Sequence, residues 1–195
     1  MKTKILIVTI ILVGCFFVGN RIFASNLDSL PPEVRIFSSQ NFSKIDSFLA
    51  FSRDFKGGVN LAVGDVNGDG KNEIVTGAGP GGSSHIRVFK SNGRYIGWSV
   101  FAFGLDFKGG VTVACGDVDG DGIDEIIAGQ ESLGEAWVKV YKVNRSKTIV
   151  ANFRAYEKKM ECGVSVAAGD LDGDGQEDII TGAGRSGTPE VRVFK

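Results

Sequence analysis

Three nine-residue stretches gather most of the chemistry this chain could perform. They read DVNGDGKNE from Asp65, DVDGDGIDE from Asp117 and DLDGDGQED from Asp170. Carboxylate or amide oxygens fall at positions 1, 3, 5 and 9 each time: Asp65, Asn67, Asp69 and Glu73; Asp117, Asp119, Asp121 and Glu125; Asp170, Asp172, Asp174 and Asp178. Position 7 varies between Lys71, Ile123 and Gln176, as expected where only a backbone carbonyl serves as ligand. Glycine holds positions 4 and 6, where the chain must curl back without a side chain in the way. Thirteen of the 23 acids lie inside these windows with a single base, Lys71. Carboxylates so close repel one another unless a cation sits among them. Hard oxygens in a tight loop suit Ca²⁺, which takes six to eight such ligands at about 2.3–2.6 Å, better than Mg²⁺, which demands a stricter octahedron. Three Ca²⁺ sites are the expectation.

The elements that must carry these loops follow from a repeat. GVNLAVGDVNGDG, GVTVACGDVDGDG and GVSVAAGDLDGDG begin at Gly58, Gly110 and Gly163, at intervals of 52 and 53 residues. A second mark keeps the same interval (VRIF ending at Phe37, IRVF at Phe89, VKVY at Tyr141, VRVF at Phe194), and FLAF, VFAF and FRAY supply a third. Each unit reads as four short strands, for example Val59 to Val63, Glu73 to Thr76, Ile86 to Phe89 and Tyr95 to Phe103, separated by Gly and Asp clusters. Short strands at this period, apolar on both faces, predict an all-β chain of propeller blades, each of four antiparallel strands. Arg35, Arg87, Lys139 and Arg192 recur in the middle of the third strand. They read as cations on the more exposed side, their stems covering apolar surface; a ring of ligand-binding cations is the alternative.

The loop is not an EF-hand. That motif needs a bidentate Glu at position 12 between helices, whereas position 12 here is Thr76, Ala128 and Thr181, and the flanks read as strands. The marks Phe55-Lys56-Gly57-Gly58-Val59, then Gly64 to Gly70, then Thr76 to Gly82, recurring in register, resemble the FG-GAP (VCBS) repeat family, which includes the integrin α-subunit β-propeller and many bacterial surface proteins. The resemblance runs from Glu33 to Lys195. It implies a propeller whose loops bind Ca²⁺ at one edge and which serves structure and adhesion. The third acidic repeat departs before its loop, where Lys159-Met160-Glu161-Cys162 replaces Asp106-Phe107-Lys108-Gly109, so a different packing is expected at that corner.

Residues 1–24 read as a secretory signal: Lys2 and Lys4, an uncharged run from Ile5 to Val18, and cleavage after Ala24. Leu12-Val13-Gly14-Cys15 also resembles a lipobox that would place a lipid on Cys15, and an uncleaved anchor is the third alternative. All three export the chain, to the medium or the cell surface, and the signal is of a bacterial kind. Residues 25–32 form a linker and 33–195 the repeats, at about 38–89, 90–141 and 142–194. The chain has 195 residues with 22 bases against 23 acids, so nothing draws it to nucleic acid, and a membrane enters only through the N-terminus. Cys115, aligned with Val63 and Ala168, reads as a small buried side chain, and no disulfide to Cys162 is expected. Gly77 to Gly82 spells G-x-G-x-x-G, but a strand should follow it where a dinucleotide site needs a helix. His85, the single histidine, has no nucleophile at a repeating offset.

The four-strand reading gives two full and two partial blades: it opens on a third and a fourth strand and stops where a fourth is due. Either a truncated frame or a ring completed by homo-oligomerisation would account for that. The expected function is a secreted or surface Ca²⁺-binding module that grips an extracellular protein or glycan, without catalysis, because acids that recur in every repeat behave as structural parts. The alternative is a polysaccharide-binding accessory domain of an exported hydrolase or lyase.

Overall fold

A computed structural model describes residues 31–157, 161–185 and 187–195, with the backbone course of three short strands before them. These are β1 (Ile5–Ile7), β2 (Cys15–Phe17) and β3 (Ile22–Ala24); β1 lies against β4, and β2 pairs with β3. The side chains of the expected export segment, Cys15 among them, lie outside the described residues, as do Lys159 and Met160.

Every regular element among the described residues is a strand. Following β4 (Glu33–Ser38) and β5 (Lys44–Leu49) come two complete antiparallel sheets of four strands. One is β6 (Val59–Gly64), β7 (Glu73–Ala78), β8 (His85–Phe89) and β9 (Tyr95–Phe101). The other is β10 (Val111–Gly116), β11 (Glu125–Gln130), β12 (Trp137–Tyr141) and β13 (Ile149–Arg154). A three-stranded sheet closes the series: β14 (Val164–Gly169), β15 (Asp178–Ala183) and β16 (Val191–Phe194). Neighbours in each sheet are neighbours in sequence, and the first strands β6, β10 and β14 stand side by side. This is the blade order of a propeller whose ring is not closed.

Alternation explains the packing. Successive side chains of a strand point to opposite faces, so β11 sends Ile126 and Ala128 into one core and Ile127 into another. The cores lie between blades. Val34 and Ile36 meet Ile74 and Phe89; Val75, Ile86 and Trp98 meet Val111, Ile126 and Tyr141; Ile127 and Val138 meet Val164 and Ile179. A second strand flanked on both faces is buried from end to end, as β7 and β11 are. Close approach of blades fixes Gly77, since a Cβ there would stand 2.4 Å from the Val111 carbonyl oxygen. Side chains near the start of the first strands lace the blades together: Asn60 Nδ2 donates to Val111 O (3.0 Å) and Thr112 Oγ1 to Val164 O (2.8 Å).

The recurring third-strand cations do more than cover apolar surface. Arg87 donates to Ala50 O (2.6 Å), Lys139 to Ala102 O (2.9 Å) and Arg192 to Ala155 O (2.9 Å), in each case across to the end of the preceding blade, 37 residues upstream. Arg35 instead pairs with Glu33 on its own strand at 2.8 Å. Cys115 and Cys162 are both free thiols, and only Cys162 is buried. Cys115 corrects the expectation: it is half-buried, and Val63 in the same column is exposed, because this face of the first strands is only partly covered. The glycine-rich run after β7 makes a turn, with Gly82 N–H donating to Gly79 O (3.0 Å), and strand β8 follows it. At the divergent corner Cys162 is buried beside Gly187, where a Cβ would stand 3.0 Å from its sulfur.

Candidate metal centres

Each acidic loop spans the gap between the first two strands of a blade, and its first aspartate builds it. Asp117 accepts N–H bonds from Gly120 (2.7 Å) and Asp121 (3.1 Å) on one oxygen and from Gly122 (2.7 Å) on the other. Asp65 does the same for Asp69 and Gly70, and Asp170 for Gly173 and Gly175. The position-5 carboxylates Asp69, Asp121 and Asp174 each accept the N–H of position 7, at 2.9–3.0 Å. Such wrapping requires positive φ at position 6, and Gly70, Gly122 and Gly175 have φ of +78°, +83° and +92°.

The wrapped loops bring oxygens together. Asp65, Asp69 and Glu73 form one group, Asp117, Asp119 and Glu125 a second, and Asp170, Asp172 and Asp174 a third, with ligand atoms inside each group within 4.8 Å of one another. The predicted position-9 residues divide. Glu73 and Glu125 head β7 and β11, are about 2% and 1% exposed, and reach their clusters. Asp178 heads β15, is buried too and gives one oxygen to Leu171 N–H at 3.2 Å as Glu125 gives one to Val118 N–H at 3.1 Å, but its shorter side chain stays out of the third group. Asn67 sits exposed on the first loop, and the side chains of Lys71, Ile123 and Gln176 are exposed as well. Ile123 reaches back toward Gly68 and Gln176 toward Gly120 of the preceding loop.

The electrostatics show what the clusters lack. Glu73 Oε2 and Glu125 Oε1 are buried and have no hydrogen-bond partner, a costly state for a carboxylate. Burial first, then Asp69 and Asp65, pushes Glu73 up to about 7; burial, then Asp119, does the same for Glu125. A buried oxygen aimed into a ring of further carboxylates fits a hard cation, and the donor set is that of Ca²⁺. Asp65, Asp69 and Glu73, and Asp117, Asp119 and Glu125, are the side chains that would hold it.

Two features were not read from the sequence. Successive loops are tied at position 8: Asp124 N–H donates to Asp65 O (3.1 Å), Asp124 Oδ2 accepts Asp65 N–H (2.9 Å), and Glu177 N–H donates to Asp117 O (2.9 Å). Lysines from outside the windows also face the acids: Lys90 lies 3.8 Å from Asp69, Lys142 lies 2.6 Å from Asp119 and 2.5 Å from Asp121, and Lys195 pairs with Asp172. Each follows the aromatic that ends the recurring third-strand mark, and that spacing was the signal that could have found them.

Comparison with known proteins agrees with the repeat. Residues 65–128 match the FG-GAP-like repeat and residues 163–193 the FG-GAP repeat. Integrin alpha-PS2 of Drosophila melanogaster is 26% identical over 197 residues, covering 87% of this chain and 13% of that protein. Integrin alpha pat-2 of Caenorhabditis elegans is 36% identical over 76 residues, covering 37% of this chain and 6% of that protein. The chain therefore spans only a small part of the relatives it matches. Among solved structures, the rhamnogalacturonan lyase YesW superposes with a TM-score of 0.47 at 13% identity, over 77% of this chain and 34% of that one.

Proposed function

We propose, from the premise that this chain belongs to the FG-GAP repeat, integrin α-like family, that it is an exported, non-catalytic binding module whose blades are held by Ca²⁺ in the acidic loops. The observation that carries the reading is the pair of buried glutamate oxygens without a hydrogen bond, Glu73 Oε2 and Glu125 Oε1, set at the same position of two successive loops beside two further carboxylates each. Bound there, the ion would neutralise the cluster and tie the loop to the head of the second strand. Because Asp124 and Glu177 join consecutive loops, ordering one loop would steady the next. The loops sit at one end of the blades and leave the rest of the surface for a partner, an extracellular protein or glycan.

The test is a calcium titration of the purified repeat region by calorimetry and thermal melting. Dissociation constants of about 10⁻⁴–10⁻³ M, in the range of extracellular modules, and a melting temperature lowered by chelator are expected. A melting curve unmoved by calcium up to about 10 mM, with no heat of binding, would overturn the reading.

A further inference from the structure

We propose that Lys90, Lys142 and Lys195 are tethered competitors of the loop cation: each ammonium steadies the acids of its own blade without the ion and must leave when the ion enters. The inference rests on the calcium reading above and concerns what sets the affinity of those loops.

The placement follows from strand register. Ile74 pairs with Phe89, Ile126 with Tyr141 and Ile179 with Phe194. The residue after each aromatic therefore falls across from the position-9 acid, Glu73, Glu125 or Asp178, and in all three blades that residue is lysine. The first sheet has no acidic loop among the described residues, and the residue after Phe37 there is Ser38. Lysine thus occurs where the register brings it against an acidic loop.

Engagement is graded. Lys142 lies 2.6 Å from Asp119, 2.5 Å from Asp121 and 3.7 Å from Glu125, with 29% of its side chain exposed. Lys90 has a single approach of 3.8 Å to Asp69 and is 47% exposed. Lys195 pairs with Asp172 and is 63% exposed. An ammonium is a compact charge with three donors, fewer than the six to eight oxygens a calcium ion gathers. At the second loop it leaves Glu125 Oε1 without a hydrogen bond. Asp119 and Glu125 belong to the group that would hold the ion, so ion and ammonium cannot share them at these distances. Exchange needs no proton transfer: the lysine swings to solvent on its flexible stem, still charged, and the loop takes two positive charges in place of one.

The experiment compares the wild-type repeat region with Lys142→Met, which keeps an apolar stem. Calcium binding at the second loop is followed by NMR at the Gly122 amide, and melting is measured in chelator and in calcium. The variant is expected to bind about fivefold more tightly at that loop, the factor an ion pair of this exposure supports. Its melting temperature should fall in chelator yet match or exceed wild type in calcium, a crossing that a merely structural lysine would not produce. An unchanged midpoint at Gly122, with the wild type still binding, overturns this inference and leaves the calcium reading standing. Absence of any calcium response in both chains overturns both. A response in the variant alone supports the competition while refuting affinity in the native chain. Should Lys142→Met fail to fold, the wild type still decides: acetylation of Lys142, compared with exposed Lys44 by mass spectrometry, should quicken on adding calcium. An unaltered ratio with calcium bound sinks the proposal.

Discussion

The second and third acidic loops share their spacing, their wrapping aspartate and their glycines, yet they are different sites. The second is sandwiched: Asp124 reaches back to the first loop and Glu177 of the third reaches back to it, while Glu125 lies buried beneath with one oxygen lacking a hydrogen bond. Asp178 under the third loop takes Leu171 N–H just as Glu125 takes Val118 N–H, but it stays out of its cluster, and Asp170, Asp172 and Asp174 are all exposed. The difference teaches that the nine-residue pattern fixes the shape of the loop, while the side chain packed behind it decides whether position 9 reaches the cluster. The same holds for the sheets. β11 is buried from end to end, while β15 loses burial at Ile180, Gly182 and Ala183.

The sharpest way to break this comparison is in the cores. Ile127 is fully buried between two blades, and its counterpart Ile180 is half-buried. Ile127→Ala should cost about 3 kcal/mol in urea denaturation, as a large-to-small change in a packed core does, and Ile180→Ala less than half of that. Equal losses would show that the last sheet is as tightly flanked as the middle one. Next comes the ligand at position 9. Glu125→Gln should abolish binding at the second loop and remove about 1.4 kcal/mol of the stabilisation seen at tenfold excess over the dissociation constant. The variant should melt no lower than wild type in chelator. Asp178→Asn should leave the third loop's binding nearly unchanged, because Asp178 lies outside that cluster and an amide oxygen can still accept the Leu171 N–H.

Much of this was legible beforehand, for a physical reason. β6, β7 and β10 run into Gly or Asp clusters that cannot continue the ladder, and the marks at intervals of 52 and 53 residues carried that reading to the other strands of the two full blades. The fourth strand ran long in the reading, to Phe103, whereas β9 stops at Phe101 because its partner strand gives way at Ser84, which has a φ of +38° and takes the Phe103 N–H on its hydroxyl (3.0 Å). The loop residues were legible because glycine and aspartate act locally. What stayed hidden acts across strands or blades. The lysines meet the loops only through the pairing of the third strand with the second, and Arg87, Lys139 and Arg192 find their carbonyls 37 residues away. Asp178 matched the pattern by type, and the length of its side chain alone set it apart.

The inter-blade cations sharpen the comparison at lower energy. Arg87 donates to Ala50 O and lies 4.5 Å from the Tyr95 ring centroid and 5.1 Å from that of Phe89. Lys139 shares Ala102 O with the Tyr141 hydroxyl, which donates to it at 3.1 Å. Arg87→Met should therefore cost about 1 kcal/mol by stripping a buried carbonyl of its side-chain donor, and Lys139→Met less, since Tyr141 still serves its carbonyl. Urea midpoints for the two variants would check the order, and a reversed order would refute this account of the bonds between blades.

The smallest effect separates the blade surface from the loops by pH. His85 stacks on Phe101 with ring centroids 4.4 Å apart and sits 5.7 Å from Phe51. Burial, then the charges of Arg87 and Lys147, lowers its imidazole to about 4 from an ordinary 6.5. Between those values the unfolded chain binds the proton first, so this residue's contribution is complete above about 6.5 and is lost as pH falls toward 4. Glu73 and Glu125, raised to about 7 in the ion-free chain, act in the opposite sense. Their contribution is complete below about 4.5 and is lost as pH rises through 7. Subtracting the stability of His85→Gln from that of wild type, both in chelator, isolates the histidine. The difference should favour wild type less at pH 4.5 than at pH 7, and a difference independent of pH would place the imidazole in water rather than between its aromatic neighbours.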